Sequence, residues 1–137
     1  MKITLLADEH IRLDPTGSAM TIEALSPEQP FSPFHMLAGS LATCTHSVLY
    51  SWASHAKLDA TDLALEVTWR FVEDPHRVGE MHLTIDWPSL PANRANAARR
   101  VAELCPIHHT LLQATTVEMT VRQAVTASGS AAAAVTA

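Results

Sequence analysis

Leu63, Leu65, Val67, Trp69 and Phe71 alternate with Ala64, Glu66, Thr68 and Arg70. That period of two predicts a half-buried strand. Asp74-Pro75-His76-Arg77 predicts a turn, and Gly79 to Trp87 returns with Met81, Leu83, Ile85 and Trp87 on one face until Pro88 and Pro91 stop it. Near the N-terminus Met1 to Leu13 has alternating stretches and ends at Asp14-Pro15-Thr16-Gly17, a turn sequence. With Ala19 to Leu25 as a second strand, this region reads as a β-hairpin.

Between these strand patterns the period changes to that of a helix. Pro27, Pro30 and Pro33 give an extended connection, Ser32 is an N-cap and Pro33 a first helical residue, and the helix is expected to run to about Lys57. Phe34, Leu37, Leu41, Cys44, Val48, Trp52 and Ala56 recur at steps of three and four, which turns Cys44 inward. Met36, Ala38, Ala42, Leu49 and Ala53 widen the apolar stripe. A helix with so little polar surface is covered on most sides, by its own domain or by a second subunit.

Asn93 to Leu104 predicts an amphipathic helix with Ala97, Val101 and Leu104 inward. Cys105 follows, Pro106 restarts a helical pattern, Thr116 to Arg122 predicts a last strand, and Ser128 to Ala137 is low-complexity and expected to be loose. Helices are thus grouped against a mainly antiparallel sheet, an α+β pattern. It forms one domain over residues 1–123, with a tail over 124–137.

Composition narrows the function. The 137 residues suit one domain. Their 47% hydrophobic share suggests apolar surface to hide, for which a homodimer is the simplest remedy. The net charge of −5, with basic residues scattered singly apart from Arg99-Arg100, argues against nucleic acid as a partner. No apolar run is long enough to span a membrane. The run Ile3 to Ala7, ahead of Asp8 and Glu9, is too short for a signal peptide. A cytoplasmic location is therefore expected, where a cysteine pair is more often redox-active or metal-binding than a structural staple. No Ser-His-Asp order, phosphate-cradling loop or dinucleotide fingerprint is present, and no cofactor is expected.

The two cysteines carry the candidate chemistry. Cys105 falls at or just before a helix N-terminus, where backbone N–H groups favour a thiolate, the form that attacks peroxides and disulfides. Ser-Pro-Phe-His-Met-Leu-Ala-Gly-Ser-Leu-Ala-Thr-Cys (32 to 44), followed by Cys-Pro-Ile-His-His-Thr-Leu (105 to 111), resembles the OsmC/Ohr family of osmotically inducible and organic hydroperoxide resistance proteins. The resemblance spans roughly Met1 to Gln123. It implies an OsmC-like fold, with a long central helix packed on a mainly antiparallel sheet, in an intertwined homodimer. It also implies a thiol peroxidase acting on organic hydroperoxides. Cys44 matches the peroxide-attacking residue, Cys105 matches the resolving one, and a dithiol is the reductant.

One part of the family pattern is missing. Peroxidase members begin this helix with a motif of Asn-Pro-Glu type, whose glutamate orients an arginine toward the reactive thiolate. Here the motif reads Ser32-Pro33-Phe34, and Arg12 is the only arginine before Arg70. A slow peroxidase is therefore expected, unless another carboxylate such as Glu23 or Glu28 substitutes. For the peroxidase, Trp52 and Trp69 either wall an apolar pocket for a fatty or aromatic hydroperoxide or, as is more usual, belong to the core. Two other readings stand beside it. One is a non-catalytic relative that binds a small apolar ligand at the dimer interface. The other is a zinc protein using Cys105, His108 and His109, since steps of three and four share a helix face, although such histidines more often lie on the surface. Cys44 and His46 are about 200° apart on a helix and cannot chelate one ion.

Overall fold

A computed structural model describes residues 1–15, 19–124 and 135–136. Strands β1 (Lys2–Ala7), β2 (His10–Asp14) and β3 (Thr21–Ala24) precede the long helix α1 (Pro33–Ala56). Strands β4 (Ala64–Val72) and β5 (Arg77–Asp86) follow, then a 3-10 turn (Ala92–Arg94), α2 (Ala95–Ala102), α3 (Pro106–Leu112), β6 (Thr120–Val121) and β7 (Val135–Thr136). The first five strands form one sheet in the order β3-β1-β2-β4-β5. Helix α1 packs on β4 and β2 and also touches α2 and α3. Among the described residues no helix is long and apolar enough to cross a membrane.

The β4–β5 hairpin lies where its alternation places it. Leu63, Leu65, Val67 and Trp69 are buried, and Met81, Leu83 and Ile85 take the inner side of β5. The N-terminal region corrects the expected hairpin. Met1 to Leu13 is not one strand; it folds back at Asp8-Glu9 into antiparallel β1 and β2, with Ile3 opposite Leu13 and Leu5 opposite Ile11. Two strands of five or six residues bury Ile3, Leu5, Ile11 and Leu13 on one face, which a single long strand paired with the fully exposed β3 would not do. Strand β3 instead runs parallel to β1 at the sheet edge, so the sheet is mixed, with the other neighbouring strands antiparallel.

Helix α1 starts where Ser32-Pro33 predicts, since proline needs no N–H at the first turn. Its cap is built around a histidine. The Ser32 backbone N–H donates to His35 Nδ1 at 3.0 Å, and this leaves Nε2–H to donate to the Ala7 carbonyl at 3.1 Å. His35 is buried between Phe31 and Trp69, with ring centroids 5.9 and 5.3 Å away. The most buried line of the helix is His35, Ala38, Ala42, Thr45, Leu49 and Ala53, rotated by about one residue from the predicted stripe. Phe34, Cys44, Val48 and Trp52 flank that line. Gly39 lets the helix approach the sheet closely, because a Cβ there would lie 3.1 Å from Ile3 Cδ1.

The C-terminal third differs most from expectation. The helix predicted over 93–104 divides into the 3-10 turn and α2, its buried positions are Ala98 and Ala102, and Leu104 is exposed in the turn that leads to Cys105. The strand predicted over 116–122 shrinks to β6, which pairs with β7 apart from the main sheet. Thus Val135 and Thr136, within the segment expected to be loose, take part in a strand pair; residues 125–134 and 137 lie outside the described residues. Val117, Met119 and Val121 stay exposed, as do Leu111 and Leu112.

Replacing His35 with alanine should cost about 2–4 kcal/mol, since it opens a buried void and strands two hydrogen-bonding groups. Urea unfolding followed by circular dichroism measures that loss, and a change under about 0.5 kcal/mol would show that the cap and its tie to β1 contribute nothing.

Candidate functional site

Cys105 is the N-cap of α3, with Pro106 at the first helical position and Sγ accepting from the His108 backbone N–H at 3.5 Å. Its own N–H donates to the Ala102 carbonyl, so the last turn of α2 and the first of α3 meet at this sulfur. The residue is fully buried, at 0% exposure, whereas Cys44 on α1 is half-buried. The two side chains interact directly, with the Cys44 thiol donating toward the Cys105 sulfur. The sequence therefore singled out two residues that α1 and α3 bring together, and both are free thiols.

Their acidities diverge. Burial pushes the Cys44 thiol up and its hydrogen bond to Cys105 pushes it further, against a smaller opposing pull from the Ile107 amide. Burial also opposes a Cys105 thiolate. There the Cys44 thiol, the His108 amide, the Thr45 hydroxyl and the Ile107 amide outweigh it, and Cys105 ends below its ordinary value. Of the two sulfurs, Cys105 is thus the one at which the surrounding hydrogen bonds favour the thiolate, and the two thiols titrate as an interacting pair.

Among the described residues, none of the groups that shift either thiol is an arginine or a carboxylate. Arg12 does not act on either thiol of its own chain. It alternates with the buried Ile11 and Leu13, so it leaves β2 on the face away from α1, where it binds Asp14 at 3.0 Å, Glu66 at 2.7 Å and Asp86 at 2.9 Å. Glu23 faces Lys2 on the edge strand, Glu28 is exposed in a loop, and neither acts on the cysteines. Phe34 stands edge-on to Phe71 at 4.8 Å.

A cleft of about 680 Å3 opens between α1, β5, α2 and α3; neither cysteine lines it, but Thr45, next to Cys44 in the chain, and His108, whose amide bonds the Cys105 sulfur, do. Phe34, Leu37, Leu41, Met81, Leu83 and Ile85 make its apolar floor. Thr45, Ala102 and His108 also line it, and Arg77, Arg99 and Glu103 bring charge to it. Sequence patterning missed this cleft because its lining comes from four elements. The two tryptophans do not wall it: Trp69 is core, and Trp52 packs edge-on to Trp87 at 6.2 Å. Among the described residues no group of three or more His, Cys, Asp or Glu side chains is placed to hold a metal, which removes the support for a zinc site at Cys105, His108 and His109.

A mixed sheet covered by one long helix, with two short helices after the last hairpin strand, defines an α+β protein. The chain belongs to the OsmC-like protein family, whose model matches residues 26–120. It is similar to the crystal structure of a putative osmotic stress induced and detoxification response protein from Psychrobacter arcticus 273-4. Identity is 22%, the TM-score is 0.55, and the match covers 79% of this chain and 84% of that one. It is also similar to an OsmC-like hydroperoxide resistance protein from Jannaschia sp. CCS1, at 22% identity and a TM-score of 0.53, over 74% of this chain and 72% of that one. At such identities the likeness speaks for the fold. No curated protein matches the chain.

Spectroscopic titration of the reduced protein at the thiolate absorbance band should show two steps, one below and one above the ordinary thiol value. Cys105→Ser should remove the lower step, and Cys44→Ala should move it upward by deleting its donor. The linkage has a definite sign. Because the folded Cys105 gives up its proton at lower pH than the unfolded chain, its contribution to stability grows as pH rises through the folded value toward the unfolded one. It is lost again on acidification through the folded value.

Proposed function

We propose that this OsmC-like protein reduces organic hydroperoxides through Cys44 and Cys105. The observation that carries the reading is that α1 and the start of α3 bring Cys44 and Cys105 together, with hydrogen bonds favouring a thiolate at Cys105, close to an apolar cleft that Thr45 and His108 line. Cys44 is the sulfur that meets peroxide, because it is partly exposed and Cys105 is not. Its proton passes to the Cys105 thiolate, and the Cys44 sulfur forms a bond to the terminal peroxide oxygen as the O–O bond breaks. The departing alkoxide takes the proton from Cys105 and leaves as the alcohol. The Cys44 sulfenic acid then condenses with the Cys105 thiolate, expelling hydroxide and closing a disulfide, which a dithiol reductant reopens. The apolar floor suits a hydroperoxide with a hydrocarbon body. Activation by amides and a neighbouring sulfur, with no arginine–carboxylate pair, makes the turnover slow.

The working unit in this reading is a cytoplasmic homodimer. Met36 and Tyr50 on α1, together with Leu111, Leu112, Val117 and Met119, are exposed apolar side chains that a second copy would cover. Light scattering at micromolar concentration should give twice the monomer mass. A stable monomer would remove the shared interface from the model.

One equivalent of cumene hydroperoxide should lower the mass of the reduced protein by two hydrogens. Cys44→Ser should abolish peroxide consumption, and Cys105→Ser should leave a sulfenic acid that a dimedone-type reagent traps. Unchanged mass would favour the other reading for this family, a non-catalytic protein that holds an apolar ligand in the same cleft. Phe34→Glu, which puts a carboxylate into a cleft that also holds Arg77 and Arg99, should speed consumption severalfold at neutral pH.

A further inference from the structure

Thr45 is the one hydroxyl of α1 buried at 1% exposure, and its Oγ1 makes no hydrogen bond to a nitrogen or oxygen among the described residues, which leaves the Cys105 sulfur as the acceptor within its reach. Its neighbours on the helix behave differently. Thr43 Oγ1 donates to the Gly39 carbonyl at 2.8 Å, and Ser47 Oγ donates to the Thr43 carbonyl at 2.9 Å, each satisfying itself one turn back. A buried hydroxyl left without a partner is costly, and a hydroxyl has a proton to give to any acceptor that forms beside it. Thr45 lines the cleft together with Ala102, whose carbonyl accepts from the Cys105 N–H, and His108, whose N–H donates to the Cys105 sulfur.

We propose that Thr45 is a positioning residue of the cysteine pair, donating its hydroxyl proton to the Cys105 thiolate. The assignment rests on the two-cysteine reading and adds a direction to it. When a dithiol reopens the disulfide, its thiolate bonds to the Cys44 sulfur, the S–S bond breaks, and the electron pair leaves on Cys105. There the His108 amide and the Thr45 hydroxyl receive it. The hydroxyl also belongs among the groups that favour the Cys105 thiolate. The titratable and charged groups around the site and its cleft are Cys44 and His46 on α1, His76 before β5, Arg77 and Glu80 on β5, Arg99 on α2, Glu103 at its C-cap, and His108 on α3.

The test uses Cys44→Ser as a background, so that Cys105 is the only thiol and position 44 keeps a donor. Thiolate absorbance is titrated in that protein and with Thr45→Val or Thr45→Ser added. Thr45→Val keeps the shape without the hydroxyl and should raise the Cys105 midpoint by about one pH unit, while Thr45→Ser should restore it. With both cysteines present, Thr45→Val should slow reduction of the disulfide by dithiothreitol, and Thr45→Ser should not. An unmoved midpoint in a folded Thr45→Val protein overturns the assignment, as does a Thr45→Ser midpoint displaced as far as that of Thr45→Val. If Thr45→Val does not fold, the Thr45→Ser comparison decides alone: a midpoint kept within about 0.3 units upholds the role and a larger rise rejects it. The titration needs no peroxide, so it stays decisive if the protein proves inactive toward hydroperoxides.

Discussion

The packing of α1 against β2 and β4 is the constraint on which the rest of the structure depends. It buries Leu41, Leu49, Ile11, Leu13, Leu65 and Val67 in a common core, with Ile3 close against Gly39. At roughly 1.5–3 kcal/mol for each large aliphatic side chain, this contact outweighs any single polar interaction in the molecule. Once the helix is seated, the elements after β5 have one apolar surface left to use, the flank of α1, and α2 and α3 pack there. That seating sets the distance from Cys44 to Cys105.

The polar groups caught beneath this packing divide by function. His35 is satisfied at both ring nitrogens and serves to hold the helix start against β1. Cys105 draws on a thiol, a hydroxyl and two amides from four neighbouring residues. Neither arrangement resembles the arginine–carboxylate activation described for peroxidase members of the family, which needs long, hydrated side chains. Short dipoles act here, two of them backbone amides held by the first turn of α3, and fixed dipoles of that kind need little reorganisation when charge appears on sulfur.

Much of this was legible in the chain. The β4–β5 hairpin and the limits of α1 follow from clean periodicity and from Ser32-Pro33, and the two cysteines stood out by their settings. The N-terminal topology was not legible, because Asp8-Glu9 is an unremarkable turn beside Asp14-Pro15-Thr16-Gly17, and the stronger turn signal pointed to the wrong break. The inner line of α1 was misplaced by about a residue because apolar side chains surround it and the buried line contains His35 and Thr45, which hydrophobic periodicity discounts. Arg12 drew attention as the only arginine before Arg70, yet strand alternation with Ile11 and Leu13 already assigns it to the opposite face of the sheet.

That placement has a consequence of its own. Arg12 on β2 reaches one carboxylate on its own strand, one on β4 and one on β5, so a single guanidinium spans three adjacent strands. A slip of one residue in β2 would carry this cation into the apolar layer and bring Ile11 and Leu13 out to water. The outer face of the sheet therefore works as a register lock: its charges exclude the misaligned pairings that the apolar face alone would discriminate against less sharply.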